Sequence, residues 1–120
     1  MDNNSHTIDF KSLNSVANDD EDFKKELIAI FLEQIPVFID NLNQLFIQNN
    51  LEKLGREAHT AKSSVMIFGM TKTGKLLNQI ENWSADNNNE DIGRALKIVE
   101  MDFLQAKVEL LNALDTGKFQ

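Results

Sequence analysis

Almost nothing in this chain stops a helix. Its 120 residues contain one proline, Pro36, and five scattered glycines, Gly55, Gly69, Gly74, Gly93 and Gly117. The sequence has no alternating run of Val, Ile, Thr and aromatic residues, and no Asn-Gly or Asp-Gly pair for a tight hairpin. Apolar residues instead recur three and four apart, which gathers them on one face of a helix with 3.6 residues per turn. Such a chain is left to pack amphipathic helices on one another.

Along the chain, Ile8, Phe10, Leu13 and Val16 predict a short first helix after a polar tail over residues 1–7. The acidic stretch Asn18 to Asp22 breaks the pattern and supplies caps, with Asp19 as N-cap and the following acids at the positive helix end. A long helix then carries Phe23, Leu27, Ile30, Phe31, Ile35, Phe38, Leu42, Leu45 and Phe46, with Pro36 inside it as an expected bend. After the turn at Asn49-Asn50, Asn50 is placed to cap a third helix. Its apolar stripe is Leu51, Leu54, Ala58, Ala61, Val65 and Phe68, spaced 3-4-3-4-3, and Gly69 to Thr71 closes it. A fourth helix is expected from about Thr71 to Ser84, with Leu76, Leu77, Ile80 and Trp83 inward. The last carries Ile92, Leu96, Val99, Phe103, Ala106, Leu110, Leu111 and Leu114. Short loops between long helices imply antiparallel neighbours. The expected fold is therefore all-α: an antiparallel up-and-down four-helix bundle over residues 8–116, with a short additional N-terminal helix.

Composition narrows the chemistry. With no cysteine, disulfide frameworks, Cys-ligated zinc and thiol nucleophiles are excluded. A net charge of −7 argues against nucleic-acid binding, which needs many phosphate-neutralising cations. The first residues lack the basic and apolar regions of a signal peptide. The longest apolar run, Leu27 to Leu32, falls far short of the roughly 18 residues that span a bilayer. The expectation is a cytoplasmic monomer without membrane contact, and Met1 with its short tail leans towards a free-standing protein.

One helix concentrates the reactive groups. His59 follows the core residue Ala58 by about 100° around the helix, so it is expected at the edge of the stripe and in solvent. Lys62 and Ser63 lie one turn on, on the same face, and Met66 continues the row. Between Asn49 and Ile80 stand five cations, Lys53, Arg56, Lys62, Lys72 and Lys75, and two anions, Glu52 and Glu57. This segment is thus +3 within a chain whose remainder is −10. A basic neighbourhood around a histidine suits a phosphoryl group or an acidic partner. The same spacing and charge also describe a solvated helix face with a chance histidine.

Ala58-His59-Thr60-Ala61-Lys62-Ser63-Ser64, with Gly69 ten positions after the histidine, resembles the motif of histidine-containing phosphotransfer (HPt) domains, Ala-His-x-Leu-Lys-Gly-Ser/Ala with a glycine at that later spacing. The resemblance runs from about Ile8 to Leu114. It implies that His59 accepts a phosphoryl group from a receiver-domain phosphoaspartate and passes it to another receiver aspartate, with Lys62 bonding the phosphoryl oxygens. Response-regulator receiver domains are the implied partners, with a hybrid histidine kinase as a further one. Glu81, twenty-two positions after His59, matches a family position that holds Gln or Glu near the imidazole. Two departures stand out. Ala61 replaces the usual leucine, a core adjustment. Ser63 replaces the usual glycine, which implies slower docking rather than loss of function, and its hydroxyl is a candidate donor near the phosphoryl site.

Phosphoryl transfer through a loose transition state asks for positioning and charge neutralisation. The sequence offers no carboxylate triplet for Mg²⁺ and no nucleotide site, so no cofactor is expected in this chain and the metal is expected from the receiver. The chain is then a carrier rather than an enzyme with kinase activity of its own. Gly69-Met-Thr-Lys-Thr-Gly74-Lys75 mimics a phosphate-binding loop, but Leu76 replaces the required hydroxyl and the segment follows a helix where the motif needs a strand. Gly69 reads better as the end of the motif helix. Met66 and Gly69 are candidates for partner docking, although Met66, Ile67 and Met70 also fit a capped bundle end. His6 reads as a tail residue. The alternative function is a helical adaptor that binds receivers or other signalling proteins without phosphoryl transfer.

Overall fold

A computed structural model of the chain describes residues 6–119, so the tail over residues 1–5 lies outside the described residues. Five helices follow one another: α1 (Phe10–Val16), α2 (Glu21–Ile47), α3 (Leu51–Ile67), α4 (Thr71–Ala85) and α5 (Asn89–Thr116). Among the described residues there is no strand. Helices α2 to α5 run alternately up and down and pack in a ring, each against the next and α5 back on α2. Among the described residues no helix is long and apolar enough to cross a membrane.

Capping fixes the helix starts. Asp20, Asn50 and Asn88 accept from the backbone N–H groups of Phe23, Lys53 and Asp91. Asp20 rather than Asp19 caps α2, because Asn18 and Asp19 both sit at positive φ, 52° and 58°, to make the turn out of α1. Asn and Asp tolerate this left-handed geometry better than other side-chain-bearing residues. Helix α2 continues unbroken through Pro36. Gly69 at φ +67° ends α3, and a Cβ there would stand 2.5 Å from the Cβ of Asp9.

Helix lengths explain the short N-terminal helix. Helices α2 and α5 have 27 and 28 residues, α3 and α4 only 17 and 15. At 1.5 Å per residue the long pair overhangs the short pair by about 15 Å. The overhang falls at the end where α2 begins and α5 finishes, and there α1 and Phe119 fill the space. Asp9 N–H bonds Phe68 O at 3.0 Å, and Phe10 meets Phe119 edge to face at 6.4 Å between ring centres. Glu109 on α5 receives the backbone N–H groups of Thr7 and Ile8 at 2.8 to 3.0 Å, which ties the end of the tail to the bundle. Lys24 is buried beneath, with its ammonium 5.6 Å from the centre of the Phe119 ring and 3.7 Å from Asp19.

The core centres on stacked phenylalanines: Phe68 on Phe31 at 4.5 Å, Phe31 near Phe103 at 6.2 Å, and Phe103 on Phe38 at 5.9 Å. All six stripe positions of α3 are buried. Helix α2 departs from its expected face: Ile28 and Lys24 are buried, whereas Phe23 and Ile30 are largely exposed. The run Leu27 to Leu32 is apolar on every side, so its phase is set by what packs on it. Leu111, expected inward on α5, is also largely exposed, and Leu76 and Trp83 on α4 are half-buried.

Candidate functional site

Helices α3 and α4 make the most extensive helix pairing in the molecule, and the candidate site lies along their outer seam. The two helices are antiparallel, and residues spaced three and four apart on each meet as successive rungs. At one end Gly55 lies against Ser84, where an added Cβ would sit 3.4 Å from the Ser84 Cβ. Next, His59 Nδ1 is 3.2 Å from Glu81 Oε1. One turn on, Lys62 Nζ donates to Asn78 Oδ1 at 3.1 Å. At the far end Met66 lies across Gly74, where an added Cβ would be 2.6 Å from the Met66 sulfur. Two polar rungs are thus held between two rungs at which a glycine lets its neighbour come close. Beneath them Ala58 and Ala61 are fully buried, so short side chains keep α3 near the bundle axis.

The imidazole is open to solvent, its side chain 59% exposed. Glu81 acts as acceptor, so the bond is Nδ1–H to carboxylate, and this tautomer leaves the lone pair on Nε2. The same carboxylate oxygen lies 3.9 Å from Lys62 Nζ, an ion pair too long for a hydrogen bond. Lys62 is only 28% exposed, its stem lying along the seam with the ammonium at the surface. Beyond His59 a shallow groove opens past Gly55 and Ser84, with Arg56 on its wall. Arg56 is exposed and paired with Glu52 at 3.1 Å.

The structure brings three of the sequence-derived residues, His59, Lys62 and Glu81, into one linked set. Ser63 is exposed on the ridge, and its hydroxyl donates to His59 O at 3.4 Å, one turn back along α3. Met66 is exposed on the same helix. Gly69 is half-buried at the α1 end, where it closes α3 against Asp9. The mimic of a phosphate-binding loop resolves into this turn and the start of α4, with Gly74 buried within the helix under Met66. His6 is exposed and lies beside Gly69, and among the described residues no group of three or more His, Asp or Glu side chains is gathered to hold a metal ion. Sequence reasoning missed Asn78. Its signal was available: it precedes Glu81 by three residues, the interval that separates His59 from Lys62.

The chain is 28% identical over 74 residues to the phosphorelay intermediate protein YPD1 of Candida albicans, an alignment covering 62% of this chain and 40% of that protein. It is 24% identical over 109 residues to the multistep phosphorelay regulator 1 of Schizosaccharomyces pombe, covering 89% of this chain and 37% of that one. The chain therefore spans about two fifths of the length of these relatives. No solved structure matches it with comparable significance. The family model of the Hpt domain matches residues 26–116, a stretch that takes in most of α2 and all of α3, α4 and α5 with the whole seam. The chain belongs to the Hpt domain family.

Proposed function

We propose that the chain is a phosphorelay intermediate that accepts a phosphoryl group on His59 from a receiver-domain phosphoaspartate and gives it to the aspartate of another receiver. The observation that carries this reading is the pairing of a solvent-open imidazole with Glu81 through Nδ1, beside the ammonium of Lys62. The lone pair of Nε2 attacks phosphorus. The P–N bond forms as the acyl P–O bond breaks, and the aspartate leaves as a carboxylate. Nδ1 keeps its proton, so the ring gains positive charge as the bond forms, and Glu81 sits where that charge is stabilised. Lys62 supplies charge-assisted bonds to the phosphoryl oxygens, and the Ser63 hydroxyl, which donates to the His59 carbonyl at rest, would have to turn from it to join them. The reverse attack by a second receiver's carboxylate returns the ring to its neutral form.

On this reading the chain is a carrier and not a kinase, and Mg²⁺ with its acidic ligands belongs to the receiver. Met66 would lie under the docked partner, with Gly69 at the end of the same ridge. The −10 remainder of the chain surrounds a +3 segment, which favours approach of an acidic receiver cleft from the His59 side. The work is done in solution on the cytoplasmic side, by a monomer.

Incubation of the chain with a phosphorylated receiver domain tests this directly. The expected product is an acid-labile, base-stable phosphorylation that maps to His59. Binding of the receiver with no label on His59 would instead leave an adaptor.

A further inference from the structure

We infer that Asn78 holds Lys62 in a resting position and thereby sets how strongly His59 retains a phosphoryl group. The inference rests on the phosphoryl-carrier reading and adds a positioning residue to it. Among the described residues the ammonium of Lys62 has one hydrogen bond, to Asn78 Oδ1 at 3.1 Å, and a longer ion pair with Glu81 Oε1 at 3.9 Å. That same Glu81 oxygen accepts the Nδ1–H of His59 at 3.2 Å. The ammonium therefore rests on the Glu81 side of the imidazole, while the lone pair that attacks phosphorus is on the other ring nitrogen. With its stem partly buried along the seam, the head of Lys62 has a short arc to move through.

A phosphoryl dianion on Nε2 is a far stronger acceptor than a neutral amide oxygen. To reach it, Lys62 gives up the bond to Asn78. A contact made in the resting form and lost in the phosphorylated form stabilises only the first, and it shifts the equilibrium towards release of the phosphoryl group. Asn78 thus weakens phosphohistidine without touching the reacting atoms. It keeps a carrier with a well-placed lysine from becoming a store.

The test uses the full chain, a receiver domain phosphorylated on its aspartate, and four forms of the chain: wild type, Asn78→Ala, Lys62→Ala and the double variant. Two quantities are read: the transfer equilibrium between receiver and His59, and the half-life of phosphohistidine in water. In the latter, water adds to phosphorus as the N–P bond breaks, releasing inorganic phosphate and neutral imidazole. Loss of one net hydrogen bond from the resting form moves the equilibrium towards His59 by about fivefold in Asn78→Ala, while the half-life of phosphohistidine, from which that contact is already absent, stays at the wild-type value. In the Lys62→Ala background the Asn78 substitution has no effect, because the group it holds is gone. A transfer equilibrium that is unchanged in Asn78→Ala or moves towards the receiver, or an equal effect without Lys62, overturns the inference. Absence of label on the wild-type chain overturns the carrier reading itself. Label on the wild type with no response to Asn78→Ala overturns only the role of Asn78. Asn78 is exposed and lies within a helix, so alanine there keeps the fold.

Discussion

The molecule uses the same two residue types, lysine and glutamate, at two places and for opposite ends. At the α1 end, Lys24 is buried under the Phe119 ring, and Glu109 is taken up by the backbone of Thr7 and Ile8 and by the Gln105 amide. On the α3–α4 seam, Lys62 has one hydrogen bond and Glu81 holds one imidazole N–H, both at the surface. Glu109 has its bonding capacity committed to chain segments that must stay put, and Lys24 is enclosed beneath the Phe119 ring and paired with Asp19 at 3.7 Å. The second pair keeps capacity in reserve, and the group it serves is open to solvent. What separates scaffold from chemistry here is burial and anchoring to chain segments, and residue type alone does not reveal it.

Substitution can break this contrast, most sharply at the seam. His59→Gln should abolish phosphoryl acceptance from a phosphorylated receiver while the helical signal and the thermal midpoint stay at wild-type values. A variant that still accepts label would move the site elsewhere. Glu109→Ala should cost about 1–3 kcal/mol in denaturant unfolding, since two backbone donors lose a carboxylate, and leave transfer untouched. Glu81→Ala should do the reverse, slowing transfer at a cost below about 1 kcal/mol, as expected of a largely solvated pair. Lys24→Ala should cost about 1 kcal/mol through lost packing and cation–π contact. Its counterpart Lys62→Ala should leave stability alone and shorten the phosphohistidine half-life about tenfold, read by the decay of label at constant pH. The smallest effect belongs to Gly74→Ala. The new methyl meets the flexible end of Met66 closely and Val65 at ordinary contact distance, and helix propensity offsets the displacement, so melting should move by less than about 1 kcal/mol.

How much of this was legible in the sequence follows a physical line. Helix α3 was readable as a face, with Phe68 the one stripe position just past its end, because its small and branched apolar side chains recur three and four apart and allow a single phase. Helix α2 was readable as a helix but not as a face: six consecutive apolar residues fit several phases, and only packing selected Ile28 over Ile30. Burial of Lys24 and Phe119 could not be foreseen, since it depends on the overhang left by two short helices beside two long ones. At the site, His59 and Lys62 were visible as neighbours on one helix, and Glu81 entered through family likeness. The Lys62–Asn78 bond was missed because it follows only after Glu81 is set opposite His59, a step that fixes the register between α3 and α4 and that no single-helix pattern contains. Ser63 was visible on the ridge, but that its hydroxyl turns back to the His59 carbonyl depends on a rotamer.

The anchoring of Thr7 to Glu109 and of Phe119 to the α1 side has a mechanical meaning. Thr7 and Phe119 both lie at one end of the bundle, about nine residues along α3 from His59 and away from the seam. A domain joined before Thr7 or after Phe119 would be tethered like a weight on a handle, with the reactive flank unshadowed. The length of such a leash, rather than any new contact, would then govern the effective concentration at which a linked receiver meets the imidazole.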